Sequence, residues 1–307
     1  MSNIIIEKYN SNDPLVINKR NSVISEVYNF LKSNILKLYL DELDKEITIK
    51  YHNIIFNIYY CEKKDKIDFK CIKRLLKRCY IITKSINKTF TIHLILSPLL
   101  KKFNIDNKPL SPINCNTGFT YLQRNNNNNN VNIYIIRKEE YAKVILHEII
   151  HHIDKIHSSF SQSNINRLKH HFKIASVNVD ANECIVEFWA TIFHLYQISI
   201  EYNQDFYKLF QNELKYSLYK SYQLLTLQKQ MTDGYWIETS NSYSYIIFKT
   251  IIMYNLLEFQ KIYTFPYNDT IITDFLIKFS KLPMNITTNP SKIRENNSLC
   301  FMLYSDK

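Results

Sequence analysis

Hydrophobic and polar positions follow two different periods along the chain, and they predict strands mixed with helices in its first half. Apolar residues at helical spacing predict one helix over 22–40 and another, with a basic outer face, over 68–86. β-Branched and aromatic residues over 46–60 suit a pleated surface. The apolar run 90–98, stopped by Pro98, indicates a buried central strand.

Two further strands are predicted over 118–124 and 131–136. The six asparagines 125–130 between them cannot bury apolar area, which indicates a solvated hairpin tip. The sequence GFTYL at the start of the first strand is a candidate edge strand, along which an extended peptide could add by backbone pairing. The second half of the chain is predicted to be almost wholly helical.

A histidine-rich stretch, VILHEIIHHIDKIH at 144–157, follows the last of these strands. Its apolar residues recur at helical spacing, so His147 and His151 should lie one turn apart on one helix face. Two imidazoles so placed can bind one zinc ion, and Glu148 beside them can act as general base. The alternative is a group of polar residues on a partly exposed helix. His152 should point away from the metal, because adjacent helical residues diverge.

Catalytic zinc normally has three protein ligands, and two places in the chain could supply the third. His157 completes the longer pattern H-E-x-x-H-x-x-G-x-x-H, with Asp154 at the glycine position. Asp tolerates left-handed backbone geometry better than most residues, so this match is weakened but still possible. Glu183 lies in NECIVEFWATIFHLY (182–196), a second predicted helix with a strongly apolar side.

Glu187 lies one helical turn after Glu183. Two carboxylates on one turn are expensive to bury unless a cation lies near them. Glu183 could then ligate zinc, while Glu187 could accept the free ring N–H of His147 and fix its tautomer. The alternative is an acidic edge that faces solvent.

Composition narrows the classes of function. The chain has 307 residues, enough for one large domain or two modest ones, and only two glycines, which argues against phosphate-cradling loops. Its net charge of +11 is compatible with acidic partners or nucleic acid, but a solvated lysine-rich helix face is the simpler explanation of the charge. Six scattered cysteines, no secretory signal and no apolar span lead us to expect a soluble, intracellular protein.

The motif H-E-x-x-H, followed some thirty residues later by N-E-x-x-x-E, resembles the gluzincin metallopeptidases, with a lethal-factor-like or thermolysin-like catalytic core. The resemblance covers roughly residues 46–196. The resemblance implies an α+β, zincin-like fold. A small mixed β-sheet, a backing helix and the H-E-x-x-H helix would form an α/β lobe over 1–160. A mainly helical lobe over 161–307 would carry the third ligand. More loosely, GFTYLQR and ETSNSYSYIIFK resemble segments of uncharacterised metalloproteins of large DNA viruses.

Carried over to this chain, the resemblance implies His147, His151 and Glu183 as zinc ligands and Glu148 as base. The match through His157 competes with it. An oxyanion donor in such enzymes is usually Tyr or His, and Tyr243 and Tyr245 stand at the start of a predicted helix.

The sequence thus predicts a zinc-dependent metallopeptidase that cleaves a protein or peptide through a metal-activated water. Two alternatives remain. One is a catalytically silent zincin-fold protein with a structural or binding role, viral in origin if the looser resemblance holds. The other, which the sequence favours less, is a basic nucleic-acid-binding protein.

Overall fold

The chain combines α-helices with one mixed β-sheet in a computed structural model. Its backbone divides into two compact units, Met1–Leu100 with Asn116–Ile149, and Lys101–Cys115 with Ile150–Ser305. The chain therefore passes between the units at 100/101, 115/116 and 149/150, and the boundary at 160/161 expected from the sequence stays a prediction. The structure describes residues 4–9, 13–103, 109–122, 129–153, 156, 159–283 and 298–304.

The first unit is built around the sheet. Its strands are β1 (Ile5–Lys8), β2 (Lys45–Tyr51), β3 (Ile54–Tyr60), β4 (Thr89–Ser97), β5 (Gly118–Thr120) and β6 (Asn130–Arg137). Its helices are α1 (Pro14–Leu31), α2 (Asn34–Leu40), α3 (Phe69–Thr83) and most of α5 (Tyr141–Ile150). The short helix α4 (Pro112–Cys115) belongs to the second unit.

The strands lie in the order β1-β2-β3-β4-β6-β5. β3, β4 and β6 run parallel, and the remaining pairs are antiparallel. The predicted central strand is confirmed as β4, and the predicted edge strand as β5. The stretch 46–60 is a hairpin that turns at His52, whose φ is +53°. Residues 125–128 of the asparagine run lie outside the described residues.

The single helix predicted over 22–40 is wrong, because the chain forms two helices there. Lys32 takes the left-handed conformation, with φ +48°, and ends α1. The Ser33 hydroxyl then accepts the N–H of Leu36 and caps α2. α1 also begins earlier than expected, at Pro14, where the Asp13 carboxylate accepts the N–H of Leu15.

One face of the sheet carries a buried polar row under α1. Thr48, Asn57, His93 and Tyr134 are cross-strand neighbours in successive strands. The Tyr59 hydroxyl lies 3.1 Å from His93 Nδ1, and Asn132 Oδ1 lies 3.4 Å from its Nε2. Burial lowers the pKa of His93 to about 4, although the Asn132 hydrogen bond opposes this.

Arg137, at the end of β6, is completely buried. Its Nε donates to the Asn116 carbonyl at 2.8 Å, and its Nη1 donates to the Leu100 carbonyl at 2.8 Å. These are the residues at which the chain leaves the first unit and re-enters it. One guanidinium group therefore bonds to the residues that flank the segment Lys101–Cys115 on both sides.

The second unit is helical around an aliphatic and aromatic core. A π-helical turn, Ser244–Phe248, leads directly into the helix Lys249–Tyr254, which is α9. The segment Ser298–Tyr304 lies in this unit, where Lys249 donates to the Phe301 carbonyl and Glu213 accepts the N–H of Leu303. The α-helices that follow α5 are α6 (Gln162–Phe172), α7 (Asn182–Tyr202), α8 (Phe206–Gln230), α9 (Lys249–Tyr254), α10 (Leu256–Ile262) and α11 (Asp269–Lys278).

Within these described ranges, none of the helices combines the length and apolar character needed to cross a bilayer.

Candidate metal centre

The histidine-rich stretch forms α5 and the turn after it. His147 and Glu148 lie in the last turn of α5, and His151 follows its final residue. His147, Glu148 and His151 expose only 5%, 7% and 8% of their surface. The alternative of polar residues on a partly exposed helix is therefore wrong. Burying three such groups is costly unless partners compensate them.

The two glutamates of the second motif lie at the start of α7. Glu183 is in the first turn of the helix and Glu187 is one turn later. Both are buried, so the alternative of a solvent-facing acidic edge is also wrong. A carboxylate in the first turn gains from the positive end of the helix dipole. That gain is small against the cost of burying two carboxylates, so both carboxylates need hydrogen-bond or ionic partners.

His147, His151 and Glu183 form one buried group. Each offers a ligand atom, and these atoms lie within 4.8 Å of one another. His151 Nε2 is 3.4 Å from Glu183 Oε2, somewhat longer than an ordinary N–H···O hydrogen bond. The two imidazoles are close because their residues are four apart at the end of α5. The carboxylate comes from a different helix, α7, and is brought to them by the fold. The group could bind a metal ion.

The donor set fits zinc. Zinc holds nitrogen and oxygen ligands at roughly 2.0–2.2 Å, so two ligands of a tetrahedral ion lie about 3.4 Å apart. The separation of His151 and Glu183 matches that value. Two imidazoles and a carboxylate are also a ligand set of catalytic zinc sites, which leave a fourth position open for water or substrate.

The remaining residues of the motifs are placed less fully. Glu148 and Glu187 are buried beside ligands of the group on α5 and α7, and His152 is not a member of the group. His157, the alternative third ligand, lies outside the described residues, as does Asp154. The roles of Glu148 and Glu187 stay predictions.

The two tyrosines expected to donate to an oxyanion are both in packed positions. The Tyr243 hydroxyl donates to Gln228 Oε1 at 3.2 Å, and its ring packs edge-on against Phe248. Burial raises the pKa of Tyr243. Tyr245, in the π-helical turn, packs its ring against Phe301. Tyr243 would have to give up its bond to Gln228 before it could serve a substrate.

Glu238 lies near these tyrosines and holds the start of their helix. It is buried, and its carboxylate accepts the hydroxyl and N–H of Ser242, the hydroxyl of Ser240 and the N–H of Tyr243. Burial raises the pKa of Glu238 to about 7, although these hydrogen bonds oppose the rise. Four donors on one carboxylate make it a structural cap.

Asp180 is a neighbour of the group that the sequence analysis missed. Part of the residue is exposed, yet its carboxyl group loses solvent, and this raises its pKa to about 6. The Glu183 carboxylate adds to the rise, whereas the N–H of Asn182 and His151 oppose it. No motif marks an aspartate three residues before Glu183, so only the folded chain reveals that it lies near His151.

Comparison of the chain with models of protein families, with curated protein sequences and with solved structures finds no match.

Proposed function

We propose that this protein is a zinc-dependent metallopeptidase. The observation that carries the proposal is the buried group of His147, His151 and Glu183, whose ligand atoms lie within 4.8 Å of one another. Burying a carboxylate beside two imidazoles is costly, and a shared cation would compensate that cost. A glutamate that directly follows the first histidine favours hydrolysis, because such a carboxylate can act as a general base.

His147, His151 and Glu183 would hold the zinc ion. When bound, zinc would polarise a substrate carbonyl and make water more acidic at neutral pH. Glu148 would take a proton from the attacking water on its carboxylate and pass it to the amine that leaves. Glu187 would accept the ring N–H of His147 and keep that ring in the tautomer that binds metal.

The sheet edge supports a peptide as the substrate. β5 pairs with β6 on one side and lies at the end of the strand order among the described residues. Its backbone could therefore pair with an extended chain. A protein or peptide in extended conformation fits such an edge better than a compact small molecule does.

The decisive experiment compares the wild-type chain with Glu148→Gln, and uses Glu201→Gln on the exposed end of α7 as the matched control. Metal content is measured by mass spectrometry, and hydrolysis is measured on a broad library of peptides. We expect about one zinc per chain in all three proteins. Glu148→Gln should lose hydrolysis by about 100-fold or more, since a general base typically contributes that much.

A folded Glu148→Gln variant with full hydrolytic activity would refute Glu148 as the base. A wild-type chain that holds zinc but cleaves nothing in the library would favour the catalytically silent binding protein. Iron in place of zinc would overturn the hydrolase proposal, because the same donor set also serves iron-dependent oxygenases.

A further inference from the structure

The first turn of α7, which carries Glu183, lacks the usual cap. The residue before the helix is Ala181, whose methyl group cannot accept a hydrogen bond from the helix N–H groups. The Asp180 carboxylate instead accepts the N–H of Asn182 at 2.9 Å. A helix end without a side-chain cap frays more readily, so other contacts must hold this turn in place.

Tyr267 provides one of these contacts. Its hydroxyl donates to Asn182 Oδ1 at 2.6 Å, and both residues are buried, with 5% and 1% of their surface exposed. The ring of Tyr267 contacts the rings of Phe160 and Tyr263. A short, buried hydrogen bond from a packed ring leaves the Asn182 side chain little freedom.

Asn182 is the residue directly before Glu183, so fixing its side chain also fixes the backbone from which the Glu183 carboxylate extends. A metal ligand must be held within a fraction of an ångström of its binding geometry. We propose that Tyr267 is a positioning residue that holds Glu183 in place for the metal through Asn182. This inference rests on the proposed metal site.

Tyr263 offers a matched control, because its hydroxyl also bonds to a residue of α7. Its hydroxyl accepts Nε1–H of Trp189 at 3.0 Å, further along α7 from Glu183. Tyr263→Phe and Tyr267→Phe each remove one hydroxyl that bonds to α7 and leave the aromatic ring in place. Only Tyr267→Phe removes a bond next to a ligand, so general loosening of α7 and loss of ligand positioning can be told apart.

The test measures zinc affinity of the full chain by competition with a coloured chelator. Tyr267→Phe should bind zinc about tenfold more weakly than wild type, as outer contacts of metal ligands typically do when removed, and Tyr263→Phe should bind as wild type does. In excess chelator the two variants should have similar melting temperatures. Asn182→Ala should weaken zinc binding as much as Tyr267→Phe, and combining both changes should add little.

Equal zinc affinity in Tyr267→Phe and wild type would overturn the positioning role, and so would an equal loss in Tyr263→Phe. If Tyr267→Phe does not fold, Asn182→Ala gives the same comparison. A wild-type chain that binds no metal would refute the metal site itself, and the role of Tyr267 with it. A zinc-binding wild type with an unaffected Tyr267→Phe would refute only the present inference.

Discussion

His151 Nε2 lies 3.4 Å from Glu183 Oε2, although one residue follows α5 and the other begins α7. A direct charge-assisted hydrogen bond would bring these atoms roughly 0.6 Å closer. The 3.4 Å spacing is compatible with two ligands around one small ion. The contact therefore supports the proposal that Glu183 is the third ligand.

Glu183→Ala should abolish stoichiometric zinc binding, whereas His157→Ala should retain it. The physical reason is that removing one of three ligands leaves only the two imidazoles to hold the ion. Zinc is measured by mass spectrometry after gel filtration. The converse result, with zinc lost in His157→Ala and kept in Glu183→Ala, would assign the third ligand to His157.

Glu238 should make the second unit less stable as pH rises from about 4.5 to about 7. Its pKa in the folded chain, about 7, is above the ordinary value of 4.5, so the folded state holds the proton over a range where the unfolded state has lost it. The stabilising effect is complete below that range and is lost as pH approaches about 7. It amounts to at most about 3 kcal/mol.

Glu238→Gln keeps an acceptor oxygen but cannot ionise. The free energy of unfolding of wild type minus that of Glu238→Gln, from urea titrations, should therefore fall as pH rises through this range. A difference that does not change with pH would contradict the prediction. Glu201→Gln serves as the exposed control.

His93 should have the opposite effect in the first unit, where it should make the free energy of unfolding increase as pH rises. Burial keeps its pKa near 4 in the folded chain, while in the unfolded chain it binds a proton near pH 6.5. Its neutral form thus stabilises the fold above about pH 6.5, and this effect is lost as pH falls towards about 4. The variant His93→Gln should lack this contribution to the pH dependence of the free energy of unfolding. Urea titrations of both proteins between pH 4 and 7 test this, and parallel curves would refute it.

Local patterns predicted much of the fold because they depend on nearest neighbours along the chain. The apolar run 90–98 predicted β4, and the helical spacing over 68–86 predicted α3. Helical spacing also predicted that His147 and His151 lie one turn apart. β1 was missed because it is only four residues long, too short for a period to be recognised.

Contacts between residues that are far apart in the sequence could not be predicted from local patterns. The chain contains 23 tyrosines, and nothing local distinguishes Tyr267, which bonds Asn182, from Tyr243, which packs in the core. The sequence could propose Glu183 as a ligand because its motif has a known spacing. Only the folded structure shows that Glu183 lies close to His147 and His151.

Gly118→Ala should destabilise the first unit by about 1–3 kcal/mol, the usual cost of overfilling a packed site. A Cβ atom at this position would lie 2.7 Å from both Ile135 Cδ1 and the Tyr134 carbonyl oxygen, and 3.2 Å from Val144 Cγ1. Gly234→Ala is a useful comparison, since a Cβ there meets no atom within 4 Å, although its φ of +70° adds backbone strain. Urea midpoints measure both, and a Gly118→Ala variant as stable as wild type would contradict the packing.

Arg137 also bears on how the chain could vary in length. Its guanidinium group fixes the carbonyls of Leu100 and Asn116, so the polypeptide departs from the sheet and returns to it at neighbouring points. Lengthening a chain between fixed ends costs little free energy. Residues could thus be added between these two anchors without shifting the register of β4 against β6. A search for relatives should tolerate gaps there and require the arginine.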